Sequence, residues 1–129
     1  MRVVYKGKNT SLTPSLAAYL EGKLIKITEK LLGRGYDDDQ VLLELEVART
    51  TRHHRKGEVW RAEANLTLGK KLLRASQAGE GPHEAIDLLE DELSREIKSY
   101  KEKYKTKRIR AARAIKRLTR RNPYKKPLH

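Results

Sequence analysis

Hydrophobic positions spaced three or four residues apart predict an amphipathic helix near the start of the chain. The apolar face of this helix consists of Leu16, Leu20, Leu24, Ile27 and Leu31. Thr13 and Pro14 form a typical helix start, because threonine caps the first turn and proline suits the first helical position. The sequence GRG at 33–35 predicts the end of the helix.

A two-residue alternation of apolar and polar positions predicts two strands in the middle of the chain, and a hairpin turn after the second predicts a third. The first strand begins after Gln40, the second begins near Trp60, and the third comprises residues 71–77. A polar loop at 50–58 separates the first two, whereas Gly69-Lys70 fits a tight hairpin turn. The polar positions of the second strand are expected on an open, solvent-facing side of the sheet. They are Arg61, Glu63, Asn65 and Thr67.

A short β-rich run at 2–6, bounded by Gly7, precedes the first helix, and a long helical pattern follows the strands. The long helix begins at Gly81-Pro82, keeps its apolar period to about Tyr104, and can extend further before Asn122-Pro123. The predicted order is therefore βαβββα. Because each helix has one apolar stripe, we expect an α+β fold with a four-stranded sheet covered on one face by two helices.

The charges divide the chain into a neutral body and a basic end. The 129 residues carry a formal net charge of +13 at pH 7. Residues 1–94 contain fifteen basic and fifteen acidic residues, whereas residues 95–129 contain fifteen basic residues and only Glu96 and Glu102. A block of like charge at one end favours a polyanionic partner such as nucleic acid.

The composition also limits the class of protein. We expect one small domain at 1–106 and a basic tail at 107–129, helical at first and then disordered. The chain has neither a long apolar span nor a signal-type start, so a cytoplasmic location without membrane contact is expected. Cysteine is absent from the sequence, which excludes disulfides and thiolate zinc sites.

Basic residues flank the apolar stripe on both helices. On the first helix, Tyr19 and three lysines fall within about 60° of one another at 100° per residue. The lysines are Lys23, Lys26 and Lys30, and the wider row on the long helix comprises Arg95, Lys98, Lys101, Lys105 and Arg108. If the helices lie side by side, the two rows form one groove suited to a phosphate backbone. For the first helix alone, an ordinary solvated boundary is the alternative interpretation.

Other combinations of reactive side chains are weaker candidates. His53-His54 is surrounded by basic residues that repel a metal ion, so a solvated loop is expected there. The carboxylates of Glu44, Glu46 and Glu63 can approach one another across strands. The sequence places neither a general base nor the donors of an oxyanion hole beside them, so a catalytic site is not predicted there. Neither an enzyme nor a cofactor or metal site is predicted.

Several segments resemble the ribosome hibernation-promoting factor family, also called ribosomal-subunit-interface or ribosome-associated inhibitor proteins. The segments KGKN, LTPSL, YLEGKL and AIDLLEDELSR occur in the order and spacing typical of that family. The resemblance covers residues 1 to about 105. It implies a βαβββα fold, binding in the small-subunit channel for messenger RNA and A- and P-site transfer RNA, and inhibition of translation in stationary phase or stress.

The resemblance also implies which cations face ribosomal RNA. The matching positions are Lys23 and Lys26 on the first helix and Arg95, Lys101, Lys103 and Lys105 on the long helix. A third basic position of the first helix falls on Glu29, with Lys30 beside it. The sequence departs from the family at Glu92, Ser99 and Gly81–His83, and the dimerisation domain of long members is not recognisable, so a monomer is expected. A general RNA- or DNA-binding module and a constitutive ribosomal protein remain as alternatives.

Overall fold

The computed structural model describes residues 1–33, 36, 38–50 and 59–121. Strands β1 to β4 comprise Arg2–Lys8, Val41–Arg49, Trp60–Leu68 and Lys71–Gly79. The first helical segment consists of α1 (Pro14–Leu20), a π-helical turn (Glu21–Ile25) and α2 (Lys26–Leu32), and α3 spans Pro82–Arg121. A short 3₁₀ turn, Asp38–Gln40, precedes β2. The α+β class and the βαβββα order are confirmed.

The first helical segment starts and ends where the sequence predicts. The Thr13 hydroxyl accepts a hydrogen bond from the Leu16 backbone N–H at 3.2 Å, and Gly33 ends α2 with a φ of +67°. The second half of the predicted apolar stripe is wrong, however. Thr28 and Leu32 are buried there, whereas Ile27 and Leu31 are only half-buried.

The π-helical turn accounts for this change of face. A π turn closes its hydrogen bond over one more residue than an α turn, so the side chains after it are rotated relative to α-helical spacing. The buried positions consequently recur every four residues, at Leu16, Leu20, Leu24, Thr28 and Leu32. The buried Thr28 hydroxyl is satisfied because it donates to the Leu24 carbonyl at 2.7 Å.

The described strands form one mixed sheet in the order β1-β2-β3-β4. β1 pairs with β2 in parallel, since the first helical segment carries the chain back to the same end of the sheet. β2 with β3 and β3 with β4 are antiparallel. Gly69 takes a φ of +61° in the tight β3–β4 connection, as a two-residue turn with glycine first requires. β1 continues through Gly7, and β4 reaches Gly79, so both strands are two residues longer than predicted.

The core lies on one face of the sheet. Every second residue of β2 is buried, namely Val41, Leu43, Leu45 and Val47. β3 contributes Ala62, Ala64, Leu66 and Leu68 to the same face, and the long helix contributes Ala85, Ile86, Leu89, Leu93 and Ile97. The predicted open-face residues of β3 are exposed or half-buried. The two helical segments therefore cover one face, and the other face meets solvent.

Burial along α3 ends well before the helix does. Ile97 is fully buried, Tyr100 is half-buried, and every side chain from Lys101 to Leu118 is exposed. Packing accordingly divides the chain into two units, Met1–Ile97 and Lys98–His129. Within the described ranges, no helix has the length and apolar content needed to cross a bilayer. The boundary between a domain at 1–106 and a tail at 107–129 stays a prediction.

Three predictions fall outside the described residues. They concern the His53-His54 loop, the end of the long helix at Asn122-Pro123, and the disordered end of the tail.

Candidate nucleic-acid interface

Lys23 of the first helical segment forms an ion pair with an aspartate of α3. The Lys23 ammonium lies 3.8 Å from a carboxylate oxygen of Asp87. The Tyr19 hydroxyl donates a hydrogen bond to the same oxygen, and the Lys23 ammonium lies 5.7 Å from the centre of the Tyr19 ring. The Tyr19 ring also makes an edge contact with His83, with 4.5 Å between ring centres. These four side chains, which we call the Tyr19–Asp87 cluster, join the two helices.

The cluster changes the electrostatics of the predicted site. The hydrogen bond to Asp87 raises the pKa of the Tyr19 hydroxyl above its ordinary value, and partial desolvation and the charges of Asp87 and Glu90 act in the same direction. Lys23 therefore has a carboxylate close by as well as access to solvent. The sequence showed both pairs at helical spacing, 19 with 23 and 83 with 87, but it did not show that the two pairs meet.

The other predicted cations of the first unit are exposed. Lys26 and Lys30 project from α2, and Arg95 projects from the part of α3 whose apolar side belongs to the core. Exposed ammonium and guanidinium groups can bind phosphate without a large desolvation cost. The structure thus leaves Lys26, Lys30 and Arg95 accessible to an anion, whereas Lys23 is shared with Asp87.

The remaining predicted cations lie on the second unit. Lys98, Lys101, Lys103, Lys105 and Arg108 are all exposed on one continuous helix. Tyr100 and Tyr104 stack on this helix with 6.3 Å between ring centres, and the Arg108 guanidinium lies 5.9 Å from the centre of the Tyr104 ring. Because Arg108 is itself exposed, this contact with the ring leaves the guanidinium accessible to an anion. That the cation rows of the two helices form one groove stays a prediction.

Glu92, at which the sequence departs from the resembling family, is held by two hydrogen bonds to β4. Its carboxylate accepts a hydrogen bond from the Ser76 backbone N–H at 3.1 Å and another from the Gln77 side-chain amide at 2.8 Å. Ser76 belongs to β4, the last strand of the described sheet, whose outward N–H groups have no neighbouring strand. Glu92 therefore ties α3 to the sheet edge, a role that helical spacing could not reveal.

The open face of the sheet carries the three strand glutamates. Glu46 pairs directly with Glu63 in the β2–β3 register, and Arg61 balances that charge at 3.2 Å from the Glu63 carboxylate. These glutamates, with Val4 and Lys6, line a shallow hollow. Among the described residues, no group of three or more histidines and carboxylates is arranged to hold a metal ion.

The architecture places the protein among small α+β proteins of the βαβββα type. A structure of a ribosomal subunit interface protein from Coxiella burnetii is similar to 78% of this chain and 98% of its own, with a TM-score of 0.58 and 20% sequence identity. The crystal structure of the Thermus thermophilus Protein Y N-terminal domain gives a TM-score of 0.59 at 22% identity, covering 78% of this chain and 99% of that one. At these identities the likeness establishes the fold.

The sequence establishes the family. Residues 3–105 match the family described as Sigma 54 modulation protein / S30EA ribosomal protein, and the chain belongs to it. A ribosome hibernation promotion factor from a Picosynechococcus species is 30% identical over 103 residues, which is 80% of this chain and 50% of that relative. A ribosome hibernation promoting factor from Klebsiella oxytoca is 30% identical over 105 residues, covering 81% of this chain and 98% of the relative. The chain thus spans half the length of the first relative and nearly all of the second.

Proposed function

We propose that this protein is a ribosome hibernation factor that binds the small ribosomal subunit and inhibits translation without catalysing a reaction. Family membership and the names of both relatives support this proposal. The observation on the molecule itself that carries it is the exposure of eight of the nine predicted cations: Lys26, Lys30, Arg95, Lys98, Lys101, Lys103, Lys105 and Arg108. Cations in such numbers suit a phosphate backbone, because their binding releases condensed counterions.

The proposed mechanism is steric. One copy of the protein occupies the channel for messenger RNA and A- and P-site transfer RNA, and its lysines and arginines contact ribosomal RNA phosphates. The nine predicted contacts include Lys23, whose ammonium must leave Asp87 or be shared with it. Since phosphate contacts fix position rather than read sequence, the specificity comes from the shape of the channel.

Salt dependence of binding to purified small subunits tests the electrostatic part. If about six to eight phosphates are neutralised, log affinity falls with log salt at a slope of about −5 to −7. Replacing Lys26 and Lys30 by glutamine reduces the steepness by about 1.8, because each lost contact accounts for about 0.9. The matched control replaces Lys70 and Lys71, two exposed lysines at the β3–β4 turn, and leaves the slope unchanged. A flat salt response contradicts the proposal.

Competition separates the proposal from its alternatives. A hibernation factor is displaced from small subunits by messenger RNA with transfer RNA, and it is not displaced by bulk duplex. A general RNA- or DNA-binding module loses its ribosome binding to bulk duplex. A constitutive ribosomal protein stays on translating ribosomes after a high-salt wash, whereas a hibernation factor accumulates on idle ribosomes in gradient profiles of starved cells.

A further inference from the structure

The part of α3 beyond Lys105 lies outside the residues that match the family, and it is densely basic. All side chains at 107–118 are exposed. This segment contains six basic residues and no aspartate or glutamate. The six are Lys107, Arg108, Arg110, Arg113, Lys116 and Arg117. We call residues 107–118 the basic rod.

The cations of the basic rod are spread over more than one side of the helix. At 100° per residue, Arg110, Arg113, Lys116 and Arg117 fall within an arc of about 120°. Lys107 and Arg108 extend the basic surface by about 60° and 80° beyond the two edges of that arc. Between Lys107 and Arg108 lies a narrow apolar side that consists of Ala111, Ile115 and Leu118, whereas Ile109 falls within the basic arc.

Like charges at helical spacing make the basic rod unfavourable in water. Arg113 has a cation three residues before it, at Arg110, and others three and four residues after it. Side chains at these spacings are neighbours on a helix, and like charges there repel. A polyanion removes this repulsion, so its binding stabilises the helical form of the segment. The packed body of the protein gains nothing from these charges, since all of them are exposed.

We propose that the basic rod is a second RNA-binding element, which lies along a groove of double-helical RNA and contacts phosphates of both strands. Apart from Arg108, which belongs to both sets of cations, this site is separate from the channel contacts of the proposed function. The RNA duplex is identified by its geometry alone. The rod is about 18 Å long at 1.5 Å per residue. Three alanines, at 111, 112 and 114, keep it slender, and its arginines can make paired hydrogen bonds to phosphate oxygens.

The composition favours a double helix over other anionic partners. Proteins that hold single strands stack the bases on aromatic rings, and residues 105–121 contain no aromatic residue. A helix that lies on a membrane needs a substantial apolar face. The rod has only Ile109, Ile115 and Leu118 as large apolar residues, and Ile109 lies on a different side of the helix from the other two. The deep groove of regular A-form RNA is too narrow for a helix. We therefore expect the basic rod to bind a stem in which a bulge widens that groove.

A set of charge-neutral substitutions in the full chain tests the proposal. The rod variant carries Arg110→Gln, Arg113→Gln, Lys116→Gln and Arg117→Gln. The control variant replaces four exposed lysines of the body, Lys6, Lys8, Lys70 and Lys71, by glutamine. Circular dichroism establishes that both variants are folded. Binding is measured by fluorescence anisotropy with a bulged RNA hairpin across a series of salt concentrations.

The rod variant is expected to show a salt slope less steep by about 3 to 4 than the parent, since four phosphate contacts at about 0.9 each are lost. The control variant is expected to retain the parental slope. Equal loss in both variants shows a diffuse charge effect and overturns the proposal. The proposal is also overturned if the parent binds polyuridine of the same length as tightly as the hairpin. It is overturned as well if the rod variant loses binding to anionic vesicles but keeps its binding to the hairpin.

Binding to small subunits distinguishes this proposal from the proposed function. In one outcome, the double variant Lys26→Gln, Lys30→Gln binds the subunit more weakly, and the rod variant binds both the hairpin and the subunit as the parent does. The basic rod is then not an RNA site, and the channel proposal stands. If the rod variant loses the hairpin while the lysine variant binds the subunit normally, the second RNA site stands and the channel contacts are wrong.

Discussion

Asp87 limits the availability of Lys23, so its replacement by asparagine is expected to strengthen binding to the small subunit. Asparagine keeps the size of the side chain and an oxygen that can accept from Tyr19, but it removes the negative charge beside the ammonium. Two unit charges at the observed 3.8 Å interact by about 1 kcal/mol in water. Both side chains are well exposed, at 41% and 50%, so the pair is worth at most about 1 kcal/mol.

This energy sets the size of the expected effect. If Lys23 must give up the ion pair to contact a phosphate, Asp87→Asn raises the affinity by up to about fivefold, because 1.4 kcal/mol corresponds to a factor of ten. The salt slope becomes steeper by about 0.9, the value of one additional phosphate contact. Pelleting or anisotropy with small subunits over a salt series measures both quantities.

Asp91→Asn provides the matched control. Asp91 is an exposed aspartate on the same helix, so its substitution changes the net charge equally and leaves the Tyr19–Asp87 cluster intact. Equal gains in affinity for the two variants refute the reasoning, since the effect is then one of total charge. A weaker binding of Asp87→Asn also refutes it and shows that the cluster holds Lys23 in its binding position.

Three further predictions concern stability. Glu92→Ala is expected to lower the free energy of unfolding by about 1 to 3 kcal/mol, because it removes the one carboxylate oxygen that accepts both hydrogen bonds and leaves the Ser76 N–H without its acceptor. Urea unfolding beside Glu96→Ala, at an exposed position of the same helix, tests this, and equal stabilities contradict it. Leu93→Ala, at a fully buried position, is expected to cost about 2 to 5 kcal/mol by the same assay, and a loss below 1 kcal/mol would place Leu93 outside the core. The raised pKa of Tyr19 means that the folded state holds the phenolic proton more tightly than the unfolded state, so this contribution is complete below about pH 10 and is lost as the pH rises through the folded value. Tyr19→Phe should therefore make stability fall less steeply above pH 10, and an unchanged pH profile would exclude this linkage.

Much of the fold could be predicted from local sequence signals such as helix caps, alternation of apolar residues and turn glycines. Thr13 and Pro14 start the first helical segment, alternation marks β2 and β3, and Gly69 supplies the positive φ of the hairpin turn. Each of these depends on residues close together in the chain. The family could also be recognised from its segments, and its match to residues 3–105 confirms that interpretation.

The candidate site was predictable only in part. Helical spacing was enough to list most of the cations that are exposed on α2 and α3, and the family resemblance added Lys103. Neither showed that Lys23 faces Asp87 or that Glu92 is bound to the β4 edge. It also assumed an uninterrupted α-helix, and the π-helical turn moved the buried face from Ile27 to Thr28.

The amino-acid sequence was therefore sufficient for the order of the elements, most of their ends, the apolar faces of β2 and β3, and the separation of a neutral body from a basic end. The packing of the elements was needed to show that β1 lies parallel to β2, that burial along α3 ends after Ile97, and which carboxylates meet the predicted cations. The difference arises because periodicity and capping depend on neighbours within a few residues. The partner of a side chain across two elements depends on how those elements pack, and residues as far apart as Lys23 and Asp87 meet only after the core has formed.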